Sequence, residues 1–317
     1  MKLMKKVPAG TFLIPMLVSA FIYTFWPNLF NIGGITQDFL GGSSINFIIG
    51  MITFCSGVGI DIKSVSKLLK HHGVVLLVKI ILTIAAGLLY MNFFGQEGIF
   101  GISALAFVVA LSSINPALYL SLVSDYGDEV DRGAFGVVSL FAIPALPLLV
   151  YAVSGGGTVS WMPIISTLIP LLLGIILGNL DHDSRVFFGS GTSILIPFLG
   201  WKTGQGMNLI DAFQAGLSGI LLVVVFYILM SLLVIADKTL AKSDGVSAMS
   251  MNAVAGVSAA FPVVIAAANP GLDAYVSDAS AQVLTASIVM VIVTPVITKK
   301  IYQKVHLKKN LSFFRAV

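Results

Sequence analysis

Ten apolar runs follow one another along this chain, at about 8–26, 44–60, 74–93, 99–124, 134–153, 161–180, 191–207, 215–236, 248–268 and 279–298. At about 1.5 Å per helical residue, each has about the length of a helix that crosses a hydrocarbon core of roughly 30 Å, the shortest lying at the lower end of that range. A soluble fold is excluded, because 57% of the residues are hydrophobic and only 10% are charged, against about a quarter charged in a water-soluble domain. A β-barrel would show short alternating segments, and none is present. The chain therefore reads as an all-α polytopic membrane protein with ten transmembrane helices and lipid as its solvent. The single cysteine, Cys55, excludes a disulfide framework. The acids and the four histidines (His71, His72, His182, His306) fall between the runs or at their edges, which argues against an intramembrane enzyme.

Charge gives the orientation. Every Lys and Arg except Lys79 and Lys202 falls in alternate connections or in the two tails, and positive connections stay cytoplasmic. Both termini are thus expected inside. The basic tail accounts for a pI of about 9.1 as a topology signal beside an anionic leaflet, with no nucleic-acid partner implied. Val18-Ser19-Ala20 resembles a cleavage site, but the run continues through Phe21-Ile22-Tyr23, so the first span is expected to be retained.

The two halves of the chain match. Leu13-Ile14-Pro15-Met16-Leu17 corresponds to Leu168-Ile169-Pro170-Leu171-Leu172, and Ser56-Gly57-Val58-Gly59-Ile60-Asp61 to Thr203-Gly204-Gln205-Gly206-Met207-Asn208. Gly73 corresponds to Gly219, Ser112 and Pro116 to Ser258 and Pro262, and Pro147 to Pro295. The offset stays nearly constant from the second helix pair to the fifth. Five spans per copy is an odd number, so the second copy enters the bilayer from the opposite side. Residues 1–153 and 154–317 are expected to be two inverted repeats, with a substrate site at their interface.

Two prolines lie inside their runs. Proline removes an intrahelical hydrogen bond, and lipid tolerates freed backbone only where it faces protein or a watery cavity. Pro116, surrounded by Ser112, Ser113, Asn115 and Tyr119, and Pro262, with Asn252 and Ser258 before it, are the expected helix breaks and the expected binding site. A kink with back-bonded serine hydroxyls is the alternative for either span alone. The glycine-rich segments add Ser56, Thr203 and Gln205, or else are capped helix ends. Lys79 and Lys202 are the cations within runs, and each either snorkels or faces a carboxylate. Two interior cations without an interior acid favour an anionic substrate. The coupling cation is then Na⁺, held by oxygens such as those of Asn115 and Ser112, or H⁺ carried by Asp61, Asp125 or the substrate. Neither a metal centre nor an organic cofactor is expected.

Lys6-Val7-Pro8-Ala9-Gly10 with Pro15 and Thr24-Phe25-Trp26-Pro27, Phe54-Cys55-x-Gly57 with Lys79-Ile80, Leu177-Gly178-Asn179-Leu180-Asp181 with Arg185 and Leu195-Ile196-Pro197-Phe198, and Ala255-Gly256 with Pro262-Val263 resemble the bacterial 2-keto-3-deoxygluconate permeases. The resemblance covers nearly the whole chain. It implies an inner-membrane carrier that imports this pectin-derived sugar acid with protons. It also implies kinship with the bile acid:sodium symporter fold, in which core and panel domains place crossed broken helices at the site; by motif these are spans four and nine. The expectation is a secondary transporter for a small organic anion working by alternating access. A sodium-coupled carrier of a different organic anion and a channel are the rival readings.

Overall fold

The computed structural model describes residues 10–41, 45–128, 130–131, 134–154, 161–205 and 216–316. Its described residues form helices joined by short connections, with one isolated bridge between Ile99 and Ile102. In chain order the helices are α1 (Gly10–Phe25), α2 (Ile45–Val58), α3 (Ile62–Phe94), α4 (Ala104–Ser112), α5 (Pro116–Tyr126), α6 (Ala145–Ser154), α7 (Met162–Leu180), α8 (His182–Gly189), α9 (Gly191–Gln205), α10 (Gly216–Thr239), α11 (Val246–Ser250), α12 (Phe261–Ala268) and α13 (Val276–Ala316). Shorter helical segments lie at 34–41, 135–142, 256–260 and 270–275. Large apolar side chains stand exposed on outward faces, Leu217 at 78%, Phe187 at 76% and Ile228 at 66%, as suits a protein whose surroundings are acyl chains.

The ten expected runs all contain helix, but not as ten simple rods. Three stretches among the described residues are long and apolar enough to cross a membrane by themselves, His72–Phe94, Gly216–Thr239 and Pro270–Val305. The helices of the third and tenth runs, α3 and α13, extend further than expected, because residues 62–71 and 299–316, in which charged and polar side chains are frequent, continue the helical hydrogen bonding beyond the apolar stretch. The fourth, fifth and ninth runs are interrupted. In the fifth, Ile143 is extended at φ −116° and ψ 155°, the conformation that a following proline imposes through its Cδ; here that proline is Pro144. The turn at 139–142 tightens to a 3₁₀ helix, and α6 starts afresh.

The helices pack in two groups. In the first, α1 lies along α9 and α2 lies along α7, with α2 also against α9 and α8. Here backbones nearly touch: a Cβ added to Gly57 would overlap the Leu171 carbonyl, one added to Gly174 or Gly178 would overlap the carbonyls of Phe54 or Val58, and one added to Gly204 would overlap the Met16 carbonyl. Small residues at such seams let helices approach where no hydrophobic force draws them together in lipid. In the second group α3, α4, α6, α10, α11 and α13 enclose a core in which Leu105, Leu111, Ile114, Phe226 and Met230 are fully buried. The principal links between the groups are α6 against α7, and the 256–260 turn against α1 and α9.

The connections bond to one another in separate sets. Trp201 and Lys202 donate to the carbonyls of Leu40 and Asp38 (2.9 and 3.0 Å), Gln282 donates to Gly101 (2.7 Å), and Tyr151 donates to Gln96 (3.2 Å). A different set of connections meets through His72, Asp131, Tyr119 and Ser247.

Candidate functional site

Two interrupted helices meet in the middle of the second group. Helix α4 begins at Ser103, whose hydroxyl accepts from Ala106 N–H (3.1 Å), and stops at Ser112. Ser113 is extended at φ −83° and ψ 147°. Asn115 then caps α5: its side-chain oxygen accepts from Leu118 N–H (3.1 Å), and Pro116 occupies the first turn. The sequence dictates this start, since Asn is a strong N-cap and Pro at the first helical position lacks only an N–H that the helix would not use. The second interruption runs from Asn252 to Ala255, followed by the 3₁₀ turn Gly256–Ala260 and then α12.

The two interruptions bond to one another. Asn115 N–H donates to the Ala253 carbonyl (2.8 Å), Ala255 N–H donates to Ser113 Oγ (2.9 Å), and the hydroxyls of Ser113 and Ser258 are 2.7 Å apart. Neighbours satisfy much of the remaining backbone. Ile114 N–H reaches the Phe141 carbonyl (3.4 Å), and the Leu111 carbonyl accepts from Lys79 Nζ (2.9 Å) and Thr83 Oγ1 (3.0 Å). The Asn252 carbonyl accepts from Thr294 Oγ1 (2.9 Å), while its amide nitrogen donates to Met230 O (2.9 Å). The side-chain oxygen of Asn252 is buried with no hydrogen-bond partner.

Ser113, Asn115, Asn252 and Ser258 are thus brought together, whereas other expected residues lie elsewhere. Pro262 is not at a break: it sits in the first turn of α12, beyond the irregular residues 252–255, where proline suits a helix start. Ser112 is back-bonded to the carbonyls of Val108 and Val109 (2.8 and 3.0 Å). Tyr119 points away from the crossing and donates to the Asp131 carbonyl (2.8 Å). Lys79 does not snorkel; it is fully buried, with Nζ also 5.5 Å from the Phe226 ring centre. There it faces the C-terminal end of α4, where helix carbonyls favour a cation. Lys202 is buried at one end of α9, tied to Asp38, and Gln205 donates to Leu40 O. Ser56 is half-buried in α2. The Thr203 side chain and Asn208 lie outside the described residues. Gly57 and Gly204, one from each glycine-rich segment, form helix seams. Gly174-x-x-x-Gly178, the spacing that marks a close helix contact, was the signal in the sequence for one of them.

No group of three or more His, Cys, Asp or Glu that could hold a metal ion occurs among the described residues.

The model of the 2-keto-3-deoxygluconate permease family matches residues 1–307. The 2-keto-3-deoxygluconate permease 1 of Salmonella typhimurium is 35% identical over 314 residues, covering 98% of each chain. The Bacillus subtilis 2-keto-3-deoxygluconate permease is 33% identical over 96% of this chain and 94% of its own, and that of Enterobacter sp. is 32% identical over 93% and 90%. A match over nearly the full length, together with the apolar helices, makes this a multi-pass membrane transporter and not an enzyme: the chain belongs to the 2-keto-3-deoxygluconate permease family.

Proposed function

We propose that this protein is a secondary transporter that imports 2-keto-3-deoxygluconate, or a closely related keto-sugar acid, together with a cation (H⁺ or Na⁺) by alternating access across the bacterial inner membrane. The observation that carries this reading is the meeting of two interrupted helices through Asn115, Ala253, Ser113 and Ser258. Irregular backbone in a membrane protein persists where it is buried in protein or lines a watery cavity, and broken helices at a repeat interface are where carriers hold substrate. In this reading the sugar hydroxyls exchange with the Ser113–Ser258 pair and with the unpartnered oxygen of Asn252. The carboxylate lies toward the N-terminus of α5 and the Lys79 cation. The first packing group is the panel and the second the core, with the substrate path along α1, α9 and the 256–260 turn.

Two observations support inverted repeats with ten crossings and cytoplasmic termini. Gly57 meets Leu171 and Gly204 meets Met16; Gly57 corresponds to Gly204 and Met16 to Leu171 in the sequence match, so each glycine meets the counterpart of the other's partner. The connections that touch one another are also those that ten alternating crossings would put on one side. The experiment is uptake of labelled 2-keto-3-deoxygluconate into proteoliposomes, with Na⁺ and pH gradients imposed separately. Saturable accumulation under one gradient is expected. Uptake that only equilibrates and does not saturate would favour a channel, and no uptake of this or any related carboxylate under either gradient would end the proposal.

A further inference from the structure

Away from the crossing, three connections on one face close into a buried polar knot. His72 is 2% exposed, and its Nε2 lies 3.1 Å from Oδ1 of Asp131, which is 14% exposed. The hydroxyl of Tyr119, besides donating to the Asp131 main chain, is 3.1 Å from Ser247 Oγ. Asp128 and Asp131 exchange two backbone-to-carboxylate hydrogen bonds. Asp237, in the last turn of α10, is fully buried; Oδ2 accepts from Gly245 N–H (2.9 Å), and Oδ1 is buried with no hydrogen-bond partner. His72 acts electrostatically on both Asp131 and Asp237.

The Ser243 side chain also supports the Asp237 carboxylate. Asp244 adds a further acid from the connection that follows α10. Lys238 lies over Gly245 with an exposed side chain. Asp125 and Lys242 are exposed, α13 brings Tyr302 against Tyr126 while its Lys299 and Lys300 are exposed, and Arg132 is outside the described residues. A carboxylate oxygen out of water without a donor is costly when ionised, and a proton removes that cost. The knot is also joined to the crossing. Tyr119 is one turn along α5 from Asn115, and Ser247 is five residues before Asn252. A cavity of about 320 Å³ is lined by Lys238 at this face and by Asn252 at the second interruption.

We propose that this knot is the proton site of the transporter. One proton is carried on the Asp237 carboxyl within reach of the His72–Asp131 pair, exchanged with water on this face, and its presence sets how α5 and α11 hold the crossing. The only bond formed on loading is the O–H bond at Asp237, with the proton coming from water; release breaks that bond, leaves the carboxylate and returns the proton to water. The inference rests on the transporter reading and deepens it by naming the residues on which a coupling proton would bind.

The test uses the full chain, wild type and the variants Asp237→Asn and His72→Gln. In proteoliposomes, wild type should accumulate labelled 2-keto-3-deoxygluconate under a pH gradient and not under a Na⁺ gradient. The variants should keep exchange of external label for internal substrate within about threefold, and lose gradient-driven accumulation by about tenfold, the change that one unit of proton affinity represents. Both variants accumulating at the wild-type level would overturn the proposal. A variant that loses exchange as well is not folded for transport, and the other then decides by the same two readouts. A second measurement needs no substrate: the unfolding temperature of the detergent-solubilised chain followed from about pH 5 to about pH 8. A step in wild type that is absent from both variants is expected; no step, or an unchanged step in both variants, would also overturn it. Should wild type move no sugar acid while its step vanishes in the variants, the transport reading fails and the proton site stands.

Discussion

The two interruptions that meet at the crossing are built in different ways. The first is written locally: Asn115 caps, Pro116 opens the helix, and only Ser113, Ile114 and Asn115 leave helical hydrogen bonding. The second has no capping side chain at either the 256–260 turn or α12. It is held from a distance, by Thr294 on the Asn252 carbonyl, by Met230 on its amide, and by Ser113 and Asn115 of the first interruption. One break imposes itself and the other is imposed. The local break fixes a geometry to which the other conforms, so the second is the easier of the two to rearrange.

Substitutions can break that contrast. The largest effect is expected from Ser113→Val, which strands the buried Ala255 N–H and removes the partner of Ser258; about 2–3 kcal/mol of stability should be lost in a denaturation series, with uptake reduced to background. Next, Thr294→Val should cost about 1 kcal/mol although it lies 42 residues from Asn252. That is as much as Asn115→Ala loses at its own cap, about 1 kcal/mol. Asn115→Ser should restore most of the stability, whereas no neighbouring substitution should rescue Thr294→Val. Pro262→Ala should change stability by less than about 0.5 kcal/mol, because the proline stands in a helix's first turn and not at the interruption.

The smallest expected effect concerns the face to which both broken helices are stitched. Burial pushes the Asp131 carboxyl up, but hydrogen bonds from His72 and the Asp128 backbone, together with the His72 charge, outweigh it and hold the carboxyl below its ordinary value. A carboxyl lowered in the folded state stabilises above its unfolded value, about pH 4, and that contribution fades as pH falls through the lowered value. Asp131→Asn should therefore lower the unfolding temperature near neutral pH and converge with wild type in acid.

The sequence made some of this legible. Pro116 with Asn115 marks a break by local rules, and these rules act whatever surrounds them. Pro262 misled for the same reason in reverse: proline announces where a helix can begin, while the irregular stretch before it depends on Thr294, Met230 and Ser113, which no window around residue 255 contains. For Lys79 the sequence leaves snorkelling and pairing with a carboxylate both open, because its partner, the Leu111 carbonyl 32 residues on, lies outside any local window. His72 and Asp131 were read as edge residues; edges of different helices become one interior when their connections fold together.

The glycine seams of the first packing group carry a mechanical consequence. Helices that touch main chain to main chain at Gly57, Gly174, Gly178 and Gly204 have no side-chain cushion to compress or shear, so α1, α2, α7 and α9 form a stiff plate. Where that plate rests on the 256–260 turn, the turn is built of Gly256, Val257, Ser258, Ala259 and Ala260, whose short or absent side chains offer little to interlock. Slippage would concentrate along that smooth bearing, in the turn that carries Ser258, and leave the plate itself undeformed.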